Sequence, residues 1–517
     1  MDLDYDACYR AVKTRDARFD GRFFTAVKTT GIYCRPTCPA RTPKRENVTF
    51  YRTAAAAQEA GFRPCLRCRP ETSPDFGAWH GASNTVSRAL ALIESGALDE
   101  GGVDALAERL GVGDRQLRRL FHQYLGASPI AVAQTRRILL AKQLIHETGL
   151  SMVEVALAAG FGSVRRFNET FQQLYNRPPI ALRRGSHMPA AAGAVILKLP
   201  YKAPYDWEAM LAFLAPRAID GVEAISNDAY ARAITSGGVK GAFIARPAGN
   251  NRLAITLHCP KLEALPAVIA RLRRLFDLAA DPVAIDEHLS KDTRLAPLVA
   301  ARPGLRVPGA WDGFEVGVRA ILGQQITITA AINIAGKLAA QYGQALDEPV
   351  PGFPTLTRLF PSAETLAKAD LSWLPMPKVR AASLSALAAA AAADPRLFGP
   401  KASLDEAIAA LRRLPGVGEW TAQYIAMREL REPDAFPAAD IGLMRAMEDA
   451  PGTRPSAATL AAHAQAWQPW RAYAAMHLWV AEAERQTSAS GTKRISSEEI
   501  SPKPSAEETS IANHNAA

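Results

Sequence analysis

The chain has 517 residues, of which 48% are hydrophobic and 22% charged, and its formal net charge is +10. That length suits three or four domains, each able to bury its own core. No apolar run approaches the ~18 residues of a membrane span, and the acidic start Met1-Asp2-Leu3-Asp4-Tyr5-Asp6 lacks the apolar stretch of a secretory signal, so a soluble cytoplasmic protein without a membrane partner is expected.

Charge is distributed unevenly. Residues 1–188 hold 27 Lys/Arg against 18 Asp/Glu, a net +9, while residues 189–517 hold 34 against 33, a net +1. A basic first third favours a polyanionic partner there, nucleic acid before membrane. Residues 23–27 and 48–51 are rich in aromatic and β-branched side chains and are predicted as strands, with a helix over 53–60. A linker is expected at 76–84. Residues 85–184 carry helical periodicity almost throughout, and 186–193 form a Gly/Pro/Ala joint. Residues 194–199 and 253–258 alternate as strands do, with helices predicted between and after them, so a small α+β unit is expected to about residue 285. Residues 310–485 are helical and Ala-rich. From 487 onward Ser, Glu, Lys and Pro dominate and disorder is predicted.

Four of the six cysteines form two close pairs, Cys34-x3-Cys38 and Cys65-x2-Cys68, 26 residues apart. Each spacing lets one loop present two thiolates, which fits one tetrahedral Zn2+. Cys8 and Cys259 stand alone as small core residues. The surrounding residues, Gly31-Ile-Tyr-Cys34-Arg-Pro-Thr-Cys38-Pro, Arg45-Glu-Asn-Val-Thr-Phe-Tyr51 and Ala60-Gly-Phe-Arg-Pro-Cys65-Leu-Arg-Cys68, resemble the methyl-acceptor domain of the Ada alkylation-response regulators over about residues 5–75. The resemblance implies that Cys34 is both zinc ligand and nucleophile, while Cys38, Cys65 and Cys68 chiefly hold the metal. Four thiolates on Zn2+ carry a formal −2, which repels ordinary phosphate but not a neutral methylphosphotriester. Methyl transfer would lower that charge to −1 and ease approach to DNA.

Residues 104–121 have helix-turn-helix spacing: Ala/Leu positions on a first helix, a turn at Gly111, then Arg115, Gln116, Arg118 and Arg119 on one face of a second. Residues 152–168 repeat the plan, with Arg165, Arg166 and Asn168 facing DNA and Phe167 and Phe171 packed inward. Followed by Tyr175-Asn-Arg-Pro-Pro, the pair resembles the DNA-binding domain of AraC-type regulators over about 86–184.

Leu414-Pro-Gly416-Val-Gly418-Glu-Trp420-Thr-Ala-Gln-Tyr424 has the form of a helix-hairpin-helix, whose glycines allow backbone amides to approach a phosphate without reading sequence. Asp440 follows after a proline. With Tyr205-Asp-Trp207, Tyr230-Ala-Arg232, Arg302-Pro-Gly-Leu-Arg306, Asp312-Gly-Phe-Glu315, Arg319-Ala-Ile-Leu-Gly-Gln324 and Trp467-Gln-Pro-Trp470, the chain resembles AlkA-type 3-methyladenine DNA glycosylases over about 195–485. The resemblance implies that Asp440 is the catalytic carboxylate and that Trp420, Tyr424 and Trp470 line the base pocket. Trp420 stands where bifunctional relatives carry a Schiff-base lysine, so hydrolysis without strand cleavage is expected. Gln325 stands where a leucine wedge is usual; either it or Ile326 fills the gap left by the extruded base.

The expected protein is multidomain, mainly α with α+β parts. It comprises a zinc-binding α/β module (1–78), an AraC-type double helix-turn-helix (85–185), a small TBP-like α+β domain (195–285), a helix-hairpin-helix glycosylase domain (286–485) and a disordered tail (486–517). Double-stranded DNA, alkylated and promoter, is the expected partner, with RNA polymerase met as an activator and a monomeric state. The contrasting class is a regulator whose second half binds DNA without turnover; Asp440 argues against it.

Overall fold

The computed structural model describes residues 3–73, 84–183 and 194–498, apart from 260, 400, 402 and 449–451. The expected linker (but for Asn84), the 186–193 joint and the tail beyond residue 498 lie outside the described residues.

The first unit is a four-stranded sheet of β1 (Phe24–Val27), β2 (Ile32–Cys34), β3 (Val48–Tyr51) and β4 (Arg63–Pro64), ordered β3-β1-β2-β4, with α1 (Tyr5–Thr14) and α2 (Ala54–Glu59) packed against it. Thr53 caps α2 by accepting from the Ala56 amide, so the predicted helix begins one residue later than its first polar residue. The short strands β2 and β4 were not foreseen. They pair in parallel, Tyr33 beside Pro64, and this register brings Cys34 alongside Cys65.

Seven helices follow: α3 (Asn84–Glu94), α4 (Ala97–Glu100), α5 (Val103–Leu110), α6 (Asp114–Leu125), α7 (Pro129–Glu147), α8 (Met152–Ala158) and α9 (Val164–Tyr175). Gly111 ends α5 at φ +71°, a left-handed cap that glycine adopts without Cβ strain. Ser151 and Glu154 form a reciprocal capping box on α8, and Ser163 caps α9. The helix α7 joins the two units. Its Ala133 joins the cluster of Leu106, Leu117 and Phe121, and it packs on α8, which in turn packs on α9.

The next unit is an antiparallel sheet of β5 (Ala194–Pro200), β6 (Glu223–Ser226), β7 (Ala229–Ser236), β8 (Val239–Pro247) and β9 (Arg252–His258), ordered β5-β9-β8-β7-β6. Helices were expected between its first and last strands, but one α-helix, α10 (Trp207–Leu214), is found there, and the rest is three strands. The reason is burial on both faces. Tyr230 and Phe243 face the main core while Ala229, Ala231 and Ile244 pack with Val350, Phe353 and Leu356, so β7 has no polar alternation to betray it. The edge strand β5 is covered by α7: Gln143 donates to the Lys198 carbonyl at 3.1 Å, and Glu147 accepts from the Lys198 amide at 3.2 Å.

The remaining helices are α11 (Leu265–Leu275), α12 (Pro282–Leu289), α13 (Leu295–Ala301), α14 (Gly313–Leu322), α15 (Ile328–Tyr342), α16 (Ala363–Ala367), α17 (Lys378–Ala393), α18 (Leu404–Leu411), α19 (Glu419–Ile425), α20 (Ile441–Ala446), α21 (Ala457–His463) and α22 (Arg471–Glu498). A buried charge cluster ties sheet to helices: Arg232 bridges Glu223 and Glu315, and Arg319 contacts both carboxylates. The tail expected to be disordered from 486 is helical as far as Glu498, because α22 continues past its packed part. Among the described residues no helix is long and apolar enough to cross a membrane.

Candidate metal centre and base pocket

The sulfur atoms of Cys34, Cys38, Cys65 and Cys68 lie within 4.8 Å of one another. Tetrahedral zinc–thiolate bonds of ~2.3 Å set sulfurs ~3.8 Å apart, so the donor set fits one Zn2+. Contact with the other three sulfurs, Cys38 foremost, pushes the Cys34 thiol far up in pKa; four thiols this close ionise together only around a cation. Cys34 and Cys38 are half-buried, Cys65 and Cys68 buried. The sulfurs differ in their hydrogen bonds. Cys65 accepts from the Arg67 amide at 3.3 Å and Cys68 from the Arg35 amide at 3.4 Å. Among the described residues no backbone amide donates to Cys34. Arg35 braces the loop, binding the Asp20 carboxylate and Thr72 Oγ1. Cys8 and Cys259 are buried elsewhere, and burial pushes the Cys8 thiol up to about 11.

On α6, Arg115, Gln116, Arg118 and Arg119 are exposed while Leu117 and Phe121 are fully buried. On α9, Arg165, Arg166 and Asn168 are exposed over buried Phe167 and Phe171. Each helix thus offers one polar, basic face of the kind that enters a major groove.

Asp440 is the N-cap of α20, with Oδ1 accepting from the Leu443 amide at 3.0 Å. Two indoles also grip it: Trp420 Nε1 donates to Oδ2 at 2.9 Å and Trp479 Nε1 to Oδ1 at 2.9 Å. Trp420 stacks on Tyr424, ring centroids 5.3 Å apart and planes within 10°, and Trp479 meets Tyr424 edge-on at 6.4 Å. Tyr424 Oη accepts from Arg428 at 2.6 Å. Burial alone would raise its pKa, but the Arg428 and Arg217 guanidiniums outweigh that and hold it below the ordinary value.

The hairpin between α18 and α19 turns at Gly416, φ +77°, where a Cβ would meet Ser383 Oγ at 2.2 Å. Gly418 is the N-cap of α19 and brings no side chain to its first amides, which can therefore face a phosphate. Gln324 donates to the Gly416 carbonyl at 2.8 Å and to Thr421 Oγ1 at 3.0 Å, tying this turn to the loop after α14. In that loop Gln325 is exposed in the left-handed region at φ +59°, while Ile326 packs against the core. The backbone thus presents Gln325 outward.

Trp420 and Tyr424 come together beside Asp440. Trp470 packs edge-on against Tyr473, centroids 6.1 Å apart. Trp479, one helix turn short of where α22 leaves the core, holds the carboxylate as well, and sequence reasoning missed it. The available signal was its place on the same helix as Tyr473, six residues on.

A model of the metal binding domain of Ada matches residues 7–71, a helix-turn-helix domain 106–185, an AlkA N-terminal domain 196–312, and the HhH-GPD superfamily of base excision DNA repair proteins 318–472. A probable bifunctional transcriptional activator/DNA repair enzyme AlkA of Mycobacterium tuberculosis is 43% identical over 484 residues, 93% of this chain and 97% of that one. The DNA-3-methyladenine glycosylase 2 of Escherichia coli is 37% identical over 288 residues, 55% of this chain and 96% of that one. The Ada bifunctional transcriptional activator/DNA repair enzyme of the same organism is 38% identical over 159 residues, 31% of this chain and 43% of that one. With four such regions in this order, and one relative matched along almost its whole length, the chain belongs to the family that fuses an Ada- and AraC-type regulator to an AlkA-type glycosylase.

Proposed function

We propose that the protein accepts a methyl group from DNA methylphosphotriesters on Cys34, activates transcription of alkylation-response genes, and hydrolyses the N-glycosidic bond of alkylated purines such as 3-methyladenine and 7-methylguanine without lyase activity. The observation that carries the reading is the Asp440 carboxylate, gripped by the Trp420 and Trp479 indoles beside a stacked aromatic pair.

A purine alkylated at N3 or N7 is cationic and leaves without a general acid. Its ring is attracted to the Trp420 face by a cation–π contact worth roughly 0.5–2 kcal/mol. As the bond to the sugar breaks, positive charge grows on the sugar, and Asp440 supplies the fixed negative charge opposite it. Three N–H donors orient that carboxylate before the reaction begins. Gln325 fills the space the extruded nucleotide leaves. No lysine occupies the hairpin position of Trp420, which leaves water as the nucleophile.

At the cysteine site, bound zinc would keep the sulfurs as thiolates at neutral pH. The Cys34 sulfur, without an amide N–H to draw off its electron density, forms a bond to the methyl carbon; the carbon–oxygen bond breaks, and the phosphodiester leaves as an anion. The test is to incubate the full zinc-loaded protein with methylated duplex DNA and follow free bases and protein-bound methyl together. Catalytic release of 3-methyladenine with one methyl per chain is expected; absence of free base overturns the glycosylase reading.

A further inference from the structure

Lys142 of α7 reaches out of the DNA-binding unit into the cysteine module. Its side chain is fully buried. Its ammonium donates to the carbonyl oxygen of Cys65, a zinc ligand, at 2.8 Å, and to the Glu71 carboxylate at 2.8 Å. Glu71, 1% exposed, also binds Arg69 at 3.1 Å, and Arg69 reaches back to Glu147 at the end of α7, again at 3.1 Å. Arg69 follows Cys68 directly and is held at φ +53°, a conformation costly for a residue with a Cβ. Two ion pairs therefore fasten the ligand loop to one helix, and the same helix packs on α8, which in turn packs on α9.

We infer that Lys142 is a positioning residue of the cysteine site: it completes the ligand loop from a neighbouring domain, and through α7 it couples the charge on the four sulfurs to the placement of the DNA-reading helix α9. A buried ion pair contributes little net stability compared with apolar packing, so its use here is to fix one arrangement of the two domains. The four thiolates around Zn2+ carry a formal −2, and the Lys142 cation sits on the peptide group of one of them. Removing one negative charge by methylating a sulfur weakens that attraction. By reciprocity, docking of α7 alters the sulfurs to the same extent. The second arm of the test below rests on the reading of Cys34 as acceptor; the first does not.

The full chain is loaded with Co2+ in place of Zn2+, and the sulfur-to-cobalt charge-transfer and d–d bands are recorded for wild type, Lys142→Arg, and the double variant Lys142→Met with Glu71→Gln. The double variant removes both charges, so no uncompensated buried ion is left to unfold the module. Shifted bands in the double variant and wild-type bands in Lys142→Arg are expected; superimposable spectra for all three overturn the inference. In the second arm, methyl iodide alkylates the zinc-loaded protein and hydrogen exchange is read over residues 138–147. Exchange in wild type should accelerate at least ~5-fold on methylation, the low end of ordinary coupling between sites, and the double variant should respond by less than ~2-fold. An equal response in both overturns the inference. If methyl iodide leaves every cysteine unmodified, the acceptor reading of Cys34 fails and the cobalt spectra alone decide the role of Lys142.

Discussion

Asp440 and Trp479, 39 residues apart in the chain, are joined by an indole N–H that donates to Oδ1 at 2.9 Å. Trp420 makes the matching bond to Oδ2. Every strong donor around this carboxylate is thus fixed by ring or backbone, and the group cannot turn away without giving up a hydrogen bond to a charge, worth about 1.5–3 kcal/mol.

Asp440→Asn should reduce release of 3-methyladenine at least ~100-fold with duplex binding retained, since a preorganised charge is lost opposite a developing cation. The substitution also sets an amide NH2 against one of the two indole N–H groups. Single-turnover base release on folded variant protein is the measurement; a near wild-type rate would remove Asp440 from the reaction.

Trp479→Phe keeps an aromatic ring, though a smaller one, and deletes the donor to Oδ1. Base release should slow roughly 10-fold, in keeping with the loss of one hydrogen bond to a charged group. Trp470→Phe, which removes no donor to Asp440, should leave the rate within about 2-fold of wild type. Equal losses in the two variants would show that the indole bond to Oδ1 is not what sets the rate.

Mass spectrometry after exposure to methylphosphotriester DNA should find one added methyl, on Cys34. Cys65 and Cys68 accept amide N–H bonds and are the more buried sulfurs, hence the poorer nucleophiles. Methyl found on Cys38, half-buried like Cys34, would overturn the assignment.

His477, 2% exposed on α22, is pushed down to about 4 by burial. It stays neutral in the fold while the unfolded chain takes up a proton below about 6.5. Its contribution to stability is therefore complete above that value and falls as the solution is acidified toward 4, by about 2 kcal/mol between pH 7 and pH 5. His477→Gln should abolish this part of the acid sensitivity. Chemical denaturation of both proteins at pH 7 and pH 5 tests it: the variant should gain on wild type by that amount at the lower pH, and parallel changes would refute the assignment.

Much of the site was legible because its signals are local. Two cysteine spacings fix a four-sulfur cluster, Gly111 marks a helix end, and Gly416 with Gly418 marks a hairpin, each within a few residues. What escaped was set by tertiary packing. The strands β6 to β8 are covered on both faces, so their Ala-rich runs show no period of two. Trp479 reads like any aromatic on a buried helix until α22 is laid against α20. Lys142 looks like a solvated lysine in sequence; it is buried only because Glu71 and the Cys65 carbonyl arrive from another domain to receive it.

The covering of β5 by Gln143 and Glu147 bears on how this protein can be cut apart. Severing the chain at the 186–193 joint would strip those side chains from Lys198 and leave a bare peptide edge on the second fragment, with exposed Ile196 beside it. Such an edge recruits strands from other copies. A stand-alone enzyme derived from this half would need a new cap there, whether a charged substitution, a proline or an added N-terminal segment, before it could remain dispersed at high concentration.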